Sequence, residues 1–196
     1  MKTRMTRAAR EQQLLDVAED LFLEAGYERT SIEDIARAAG VTRPVVYEHH
    51  GSKEGVYLAC VRRARAHWNR EILAAASAST DPREQLALGA DAYYRVVERD
   101  PARWQLLIGA GGLVAGPLAG DLHRERLRTV NLIADLVEPH LPDADPQRVD
   151  AFANVASGGA EQLGRWWLAH PEVPRSKVVA YYVDTVWPAF TAIRAD

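Results

Sequence analysis

The chain carries at residues 32–49 the stretch IEDIARAAGVTRPVVYEH, in which one glycine separates two short segments that favour helices. Apolar residues recur at helical spacing along the first segment, at Ile32, Ile35, Ala36 and Ala39. Gly40 follows, and glycine adopts without steric cost the left-handed conformation that often ends a helix. Thr42 is then expected to cap a third helix, with Pro44 in its first turn. The stretch therefore has the physical features of a helix-turn-helix.

Further helices are predicted on both sides of this stretch. An amphipathic helix is expected over residues 8–25, with Gly26 as its stop. Ser31 and Asp34 have the spacing of a capping box at the start of the second helix. After Gly51, Ser52 is expected to cap a long fourth helix that runs to about residue 78.

The rest of the chain is also predicted to be helical. Helices are expected over residues 81–99, 100–108, 118–139, 146–169 and 174–194, with a glycine-rich break at residues 109–117. No segment alternates with strand period. We therefore predict an all-α protein of about nine helices. A helix-turn-helix domain over residues 1–68 would be joined through the fourth helix to a second domain over residues 69–196.

Positive charge is concentrated in the N-terminal part of this 196-residue chain, whose net charge is −3. Residues 1–70 carry a net charge of +2 and residues 71–196 one of −5, with histidines taken as neutral. The first ten residues hold four basic side chains and no acidic one, which suits contact with a phosphate backbone. Taken alone, such a tail is more often a frayed, solvated terminus.

Cysteine content and hydropathy indicate the compartment. The single cysteine, Cys60, excludes an internal disulfide framework and fits a reducing cytosol. It stands in an apolar run and is expected to be a small buried core residue. The N-terminus lacks the apolar run of a signal peptide, and no stretch approaches the roughly 20 apolar residues of a membrane span. We expect a cytoplasmic protein that does not enter a membrane.

The run from Leu14 to Ala59 resembles the DNA-binding domain of the TetR family of bacterial regulators. The likeness is carried by AEDLFLEAGYERTSIEDIARAAGV at residues 18–41 and by TRPVVYEHHGSKEGVYLA at residues 42–59. It implies a ligand-responsive transcriptional regulator, most often a repressor, that binds a near-palindromic DNA operator as a homodimer. It also implies a protein that is not an enzyme and needs no cofactor.

The resemblance implies nine DNA-contacting residues: Thr30, Thr42, Arg43, Pro44, Val45, Tyr47, Glu48, His49 and Lys53. Arg43 is expected to donate two hydrogen bonds to guanine, while Pro44 and Val45 pack on a thymine methyl group. Glu48 either lowers the affinity for DNA by repelling phosphates or accepts a hydrogen bond from a cytosine amino group. Phosphate contacts, which set the register of the protein without reading sequence, are expected from Thr30, Tyr47 and Lys53.

His50 departs from the pattern, because the family usually has phenylalanine or another apolar core residue at this position. It is either a neutral buried histidine, a partly exposed one, or a pH-sensitive weak point in the fold. Of these, a structural histidine whose hydrogen bonds are satisfied is favoured.

Broad apolar faces on the last two helices resemble the family's dimer, a four-helix bundle made from two copies of this pair. The candidate interface residues are Phe152, Val155, Ala156, Gly159, Leu163, Val179, Tyr182, Val183, Val186, Trp187 and Phe190. Such a dimer would place two recognition helices about 34 Å apart, one turn of DNA. The alternative is that these apolar faces are buried within one protomer.

The resemblance also implies a small-molecule effector in a cavity enclosed by helices four to eight. Candidate lining residues are Trp68, Tyr93, Trp104, Leu107, Leu122, His123, Arg126, Gln162 and Trp166. Ordinary core packing is the alternative for each of them. Helix six and the segment GAGGLVAGP at residues 109–117 are expected to move, shifting helix four when the effector binds.

No pattern for metal binding or catalysis is present in the sequence. The histidines lack the pairing with glutamate of a helical zinc site, and no phosphate-binding loop or nucleophile elbow occurs. Two rival functions remain open. One is a helical enzyme, which would need a convergent acid, base or nucleophile set that is not visible. The other is a structural DNA-binding protein without ligand control, which would bind any duplex.

Overall fold

A computed structural model describes residues 5–108 and 117–194, and these residues are helical with no strand among them. The helices are α1 (Arg7–Ala25), α2 (Ile32–Ala38), α3 (Arg43–His50), α4 (Lys53–Ala76), α5 (Pro82–Arg99), α6 (Pro101–Leu107), α7 (Pro117–Val137), α8 (Pro146–Leu168) and α9 (Arg175–Arg194). The predicted all-α fold with an N-terminal helix-turn-helix is confirmed. Residues 109–116 of the predicted glycine-rich break, and Lys2 and Arg4 of the basic tail, lie outside the described residues.

The described chain forms two compact units, and α4 begins in the first and ends in the second. The first unit contains the residues up to Ala64 together with residues 105–122, and the second contains residues 65–104 and those from His123 onward. The predicted division into domains 1–68 and 69–196 also falls inside α4, and it stays a prediction.

The core of the first unit is built around aromatic side chains of α1 and α4. Phe22 and Tyr57 are 1% and 0% exposed, and their rings meet edge to face with centroids 5.4 Å apart. The Tyr57 hydroxyl donates to the carbonyl oxygen of Leu106 at 2.5 Å. Burying side chains of this size contributes about 1.5–3 kcal/mol each, so α1 and α4 form the frame on which the shorter helices pack.

A buried ion pair also joins α1 to α4. Glu19 is only 1% exposed, and its carboxylate accepts a hydrogen bond from the Arg63 guanidinium at 2.5 Å. Arg63 also donates to Asp16 at 2.6 Å. Nearby, the thiol of Cys60 is buried 3.7 Å from the carbonyl oxygen of Leu15, which confirms Cys60 as a core residue.

In the second unit, α5, α8 and α9 pack on one another. Tyr94 of α5 is fully buried, and its ring meets those of Trp167 and Tyr182 edge to face, each at 6.0 Å. At Gly164 of α8, a Cβ would lie 3.1 Å from the Trp104 ring, which is closer than ordinary contact. A glycine at this position therefore lets the indole pack directly on the helix backbone.

None of the helices within the described residues is both long enough and apolar enough to cross a membrane.

Candidate DNA-binding site

The turn between α2 and α3 is fixed by local hydrogen bonds and by one glycine. The predicted capping box is present, since the Ser31 hydroxyl accepts from the Asp34 amide at 3.2 Å and Asp34 accepts from the Ser31 amide at 3.1 Å. Gly40 has a φ of +65°, which favours glycine at the turn. The Val41 amide then donates to the Ala36 carbonyl at 2.9 Å. These contacts determine the direction in which α3 leaves the turn.

Thr42 stands at the N-cap of α3, but its side chain makes no capping hydrogen bond. The predicted N-cap position is confirmed, and the missing side-chain hydrogen bond has a physical reason. An N-cap side chain accepts from the second or third amide of the helix, and Pro44, at the second position, has no amide proton. The third amide, that of Val45, donates to the Thr42 carbonyl at 3.0 Å.

Helix α3 separates a buried side from an exposed one. Val46 is 0% exposed and anchors the helix to the core. The predicted DNA contacts on this helix are exposed at Thr42, Arg43, Pro44, Tyr47 and Glu48, and half-buried at Val45 and His49. Tyr47 exposes 51% of its surface on this side. This side of α3 is suited to contact with the major groove, and the base contacts themselves stay predictions.

Arg43 is paired with an acidic side chain of α2. Its guanidinium donates to the carboxylate of Glu33, and this pairing lowers the pKa of Glu33. Both side chains are exposed, so the pair competes with water and is easily exchanged for another partner. Arg43 is therefore paired with Glu33 in this structure, and its exposed guanidinium remains accessible to another acceptor.

Two of the predicted phosphate contacts are engaged within the protein. Thr30 is 3% exposed, and its hydroxyl lies 2.9 Å from the Gly26 carbonyl and 3.3 Å from that of Leu21. The Lys53 ammonium donates to the Tyr27 carbonyl at 3.1 Å and lies 4.3 Å from the centre of the Tyr27 ring. Thr30 therefore secures the loop after α1 through its hydroxyl, and a phosphate contact from that hydroxyl would require these bonds to break.

His50 is half-buried at the C-terminus of α3. Its Nε2 atom is buried and has no hydrogen-bond partner within the described part of the chain, so a histidine with its hydrogen bonds satisfied is not what is found. Burial lowers the pKa of His50, the Glu11 carboxylate opposes this, and His49 adds to it. The imidazole also borders an open groove of about 490 Å³. His50 is therefore a partly exposed imidazole whose surroundings favour its neutral form.

The predicted dimer residues divide between the protein core and its surface. Six are buried within the second unit: Phe152, Ala156, Tyr182, Val183, Val186 and Phe190. Val155 is 64% exposed, Gly159 is exposed, and Leu163, Val179 and Trp187 are half-buried. These six side chains pack within the protomer, and their part in a dimer interface stays a prediction.

The predicted effector residues also differ in their surroundings. Trp68, Trp104, Leu107 and Leu122 are buried, Tyr93 and Arg126 are half-buried, and His123, Gln162 and Trp166 are exposed. Leu107 and Leu122 belong to the first unit and the other seven to the second. The Trp104 indole donates to the Tyr93 hydroxyl at 3.2 Å. A cavity shared by all nine residues stays a prediction.

Three residues that stand out in the structure were missed in the sequence. Arg65 and Glu161 are charged groups inside the second unit, and Tyr181 is a 47% exposed aromatic residue of α9. Arg65 had a visible signal, because it follows Val61 by four residues and precedes Trp68 by three, which puts it on the core face of α4. A basic residue on a core face is rare and points to a special environment.

The comparisons with known proteins agree with this geometry. The family model of the bacterial regulatory proteins of the tetR family matches residues 14–60. The HTH-type transcriptional activator FasR of Mycolicibacterium smegmatis is 33% identical over 186 residues, which cover 94% of this chain and 84% of FasR. The chain belongs to the TetR family. This TetR-family protein is thus a helix-turn-helix transcription regulator and not an enzyme.

Solved structures of TetR-family proteins share the whole fold. A TetR-like transcriptional regulator from Rhodococcus sp. RHA1 is 27% identical with a TM-score of 0.66, and the match covers 96% of this chain and 99% of that one. The fold is also similar to that of the transcriptional regulator FadR of Bacillus subtilis, solved in complex with stearoyl-CoA. It has a TM-score of 0.75 at 14% identity, over 89% of this chain and 96% of FadR. At that identity the likeness shows the fold alone.

Proposed function

We propose that this TetR-family regulator is a ligand-responsive repressor that binds a near-palindromic operator as a homodimer. The observation that carries the proposal is the two-sided α3, on which Val46 is fully buried while Arg43 and Tyr47 are exposed. A short helix anchored in this way can enter the major groove, which is about 12 Å wide, without disturbing the core. Arg43 would read guanine, and Tyr47 would contact the backbone.

Sequence preference is the property that separates this function from unspecific DNA binding. The experiment is selection of bound fragments from genomic DNA, followed by competition of the selected site against random duplex at two salt concentrations. We expect a preference well above about tenfold, because one bidentate contact alone discriminates by about 1–3 kcal/mol. A preference below about tenfold at both salt concentrations would instead favour the structural DNA-binding protein.

An apolar patch on α8 and α9 supports the homodimer. Val155, Trp166 and Tyr181 are exposed by 64%, 37% and 47%, and the Trp166 and Tyr181 rings lie 6.3 Å apart. Gly159, also exposed, would let a partner helix approach closely. Val155 and Trp166 lie on one face of α8, eleven residues apart, and exposed apolar side chains along a helix face favour a surface that another protein covers. In a two-fold dimer the patch would meet its own copy.

The dimer can be tested by placing a charge in this patch. We expect Val155→Glu to sediment as a monomer at concentrations where the parent is a dimer, because two carboxylates would face each other across the two-fold axis. Leu127→Glu is the matched control, since Leu127 is an exposed apolar residue of α7 outside the patch. A Val155→Glu protein that remains as dimeric as the control would place the interface elsewhere.

Activation is a second candidate for the regulatory outcome, because FasR is named a transcriptional activator. Both outcomes use the same α3 contact with DNA and differ in where the operator lies relative to the promoter. A reporter gene behind a promoter that carries the selected operator distinguishes them. Expression that falls when the regulator is supplied supports repression, and expression that rises supports activation.

A small-molecule effector fits the same proposal. FadR of Bacillus subtilis, which shares the fold, was solved with stearoyl-CoA. In this chain α4 begins in the first unit and ends in the second. A ligand bound among residues 81–170 would shift α4 and change the separation or tilt of the two α3 helices, which releases DNA. Its signature is a ligand that weakens operator binding without unfolding the protein.

A further inference from the structure

A cluster of polar side chains lies inside the second unit, where four helices meet. We call it the Arg65 cluster, and its members are Arg65 and Asn69 of α4, Tyr93 of α5, Thr129 of α7 and Glu161 of α8. Glu161 is 8% exposed. Burial lowers the pKa of Arg65 and raises that of Tyr93. Polar groups removed from water in this way are stable only if their charges and hydrogen bonds are compensated.

Within the described part of the chain, Arg65 is not paired directly with a carboxylate, although Glu161 and Glu125 act on its charge at longer range. Its Nη1 atom lies 3.3 Å from the Thr129 hydroxyl, a neutral group, and its Nε atom is buried without a partner in the described residues. Of the two nearby carboxylates, Glu161 is paired with Arg126 at 3.7 Å and Glu125 with Arg128 at 2.7 Å. Since arginine stays protonated in proteins, Arg65 keeps its positive charge without a carboxylate in direct contact among the described residues.

The cluster also offers more hydrogen-bond donors than acceptors. The Thr129 hydroxyl accepts from both Arg65 and Asn69, each at 3.3 Å, so its own proton points elsewhere. The Tyr93 hydroxyl accepts from the Trp104 indole at 3.2 Å, and burial raises the pKa of Tyr93, which keeps its proton in place as a donor. The hydroxyl protons of Thr129 and Tyr93 and the Nε–H of Arg65 therefore need acceptors. One group with several acceptor atoms and no donor can supply them.

Apolar aromatic surface adjoins these donors. Trp104, which is fully buried, bonds to Tyr93, and Trp68 lies three residues after Arg65 on the same side of α4. Trp68 is 7% exposed. A ligand that reaches the cluster would therefore bring an apolar body beside a charged head. A carboxylate has the charge opposite to that of Arg65, two acceptor oxygens and no donor, and it forms strong hydrogen bonds with guanidinium.

We propose that the Arg65 cluster binds the carboxylate of a small organic anion with an apolar body, and that this anion is the effector. The second half of this statement rests on the proposed function, whereas the binding site does not. Arg65 supplies the charge and an Nε–H donor, while Thr129 and Tyr93 supply hydroxyl donors. Binding gives the half-buried guanidinium of Arg65 a carboxylate in direct contact.

The experiment compares three probes that share an aromatic body and differ in their head group: hydrocinnamate, hydrocinnamyl alcohol and hydrocinnamylamine. Calorimetric titration and the thermal midpoint are measured for the full chain, for Arg65→Met, and for Arg70→Met. Arg70 is the matched control because it is an exposed arginine of the same helix. We expect hydrocinnamate to bind the parent and Arg70→Met, and to raise their thermal midpoints, while the other probes do not. Arg65→Met should bind it at least about tenfold more weakly.

Each other outcome decides against part of the proposal. Equal binding of hydrocinnamate and the alcohol, preferential binding of the amine, or no binding of hydrocinnamate to the parent would overturn the anion site. If Arg65→Met fails to fold, the comparison of the three probes on the parent protein still decides. If hydrocinnamate binds through Arg65 but leaves operator affinity unchanged, the site stands and its role as effector site falls. If the parent shows no operator preference at all, the proposed function fails independently of the anion site.

Discussion

Replacing Gly55 with alanine tests how α4 holds the recognition helix in place. A Cβ at position 55 would lie 2.0 Å from the carbonyl oxygen of His50 and 3.1 Å from its carbonyl carbon. Both are backbone atoms, so no side-chain rotation can relieve the overlap. Ordinary contact begins at 3.4 Å, and opening from 2.0 Å to 3.4 Å moves the end of α3 away from α4 by 1.4 Å.

Gly55→Ala is expected to destabilise the protein, whereas most glycine-to-alanine changes inside a helix stabilise it. Alanine in place of glycine inside a helix ordinarily stabilises a protein by about 0.5–1 kcal/mol. Here the overlap costs about 1–3 kcal/mol, the range for inserting an atom into a packed site. Operator affinity should fall by about tenfold or more, because displacing α3 sacrifices the geometry of at least one base contact.

Urea unfolding followed by circular dichroism measures the stability change, and fluorescence anisotropy with a labelled operator measures affinity. Gly89→Ala is the matched control, since its Cβ would meet Ala76 at 3.6 Å and Ile72 at 3.8 Å, both ordinary contacts. The control should be as stable as the parent or more so. A Gly55→Ala protein that gains stability as Gly89→Ala does would show that the contact with His50 does not hold α3.

Three further substitutions probe the first unit. Arg63→Met should lower the free energy of unfolding by about 3–5 kcal/mol, because it breaks the ion pair between Arg63 and the buried carboxylate of Glu19. Urea unfolding checks this, and a loss no larger than that of Arg70→Met would refute it. The pKa of His50 is lowered in the folded state, so the unfolded state takes up the proton first as the pH falls below 6.5. The free energy of unfolding therefore declines between pH 6.5 and the lowered pKa of the folded state. Thermal midpoints of His50→Phe should therefore depend less on pH than those of the parent across this interval, and equal slopes would show that His50 is not responsible. Glu33→Gln should raise operator affinity and make that affinity fall more steeply with salt, because Arg43 no longer has to leave a carboxylate in order to bind DNA. Fluorescence anisotropy at several salt concentrations measures both effects. A fall in affinity would mean that Glu33 orients Arg43 for DNA binding.

Local signals in the sequence account for most of the fold. Gly26 ends α1 with a φ of +83°, the Ser31 capping box starts α2, and Ser52 accepts from the Gly55 amide at 3.1 Å at the start of α4. Aspartate followed by proline starts α5 and α8, where Asp81 and Asp145 accept from helix amides. Each of these devices acts within a few residues, so it can be recognised without knowing the tertiary structure.

The partners of individual side chains could not be predicted in the same way. Thr30 and Lys53 are polar residues beside the recognition helix. Only the folded loop shows that their side chains donate hydrogen bonds to backbone carbonyl oxygens. Helical spacing showed that Tyr182 and Val155 lie on apolar faces of their helices, but not which partner covers each face. Tyr182 is buried in the protomer and Val155 is 64% exposed. That distinction depends on the angle between helices, which a spacing pattern does not contain.

The Arg65 cluster could likewise be predicted only in part from the sequence. The position of Arg65 on the core face of α4 is visible in the sequence, but the sequence does not show that Glu161 contacts Arg126 and Glu125 contacts Arg128 in place of Arg65. Residues on α7 and α8 therefore decide whether Arg65 is compensated. Such pairings across several helices emerge only when all of them are in place.

Reading of DNA by α3 is best measured as the operator affinity of the double variant Arg43→Ala, Tyr47→Ala, after circular dichroism and sedimentation have shown that it is folded and dimeric. Both side chains are exposed, so the fold should survive their removal. We expect its affinity for the selected operator to fall by at least about tenfold, towards that of random duplex, since the guanine contact of Arg43 alone is worth about 1–3 kcal/mol. An affinity equal to that of the parent would mean that α3 does not read the operator.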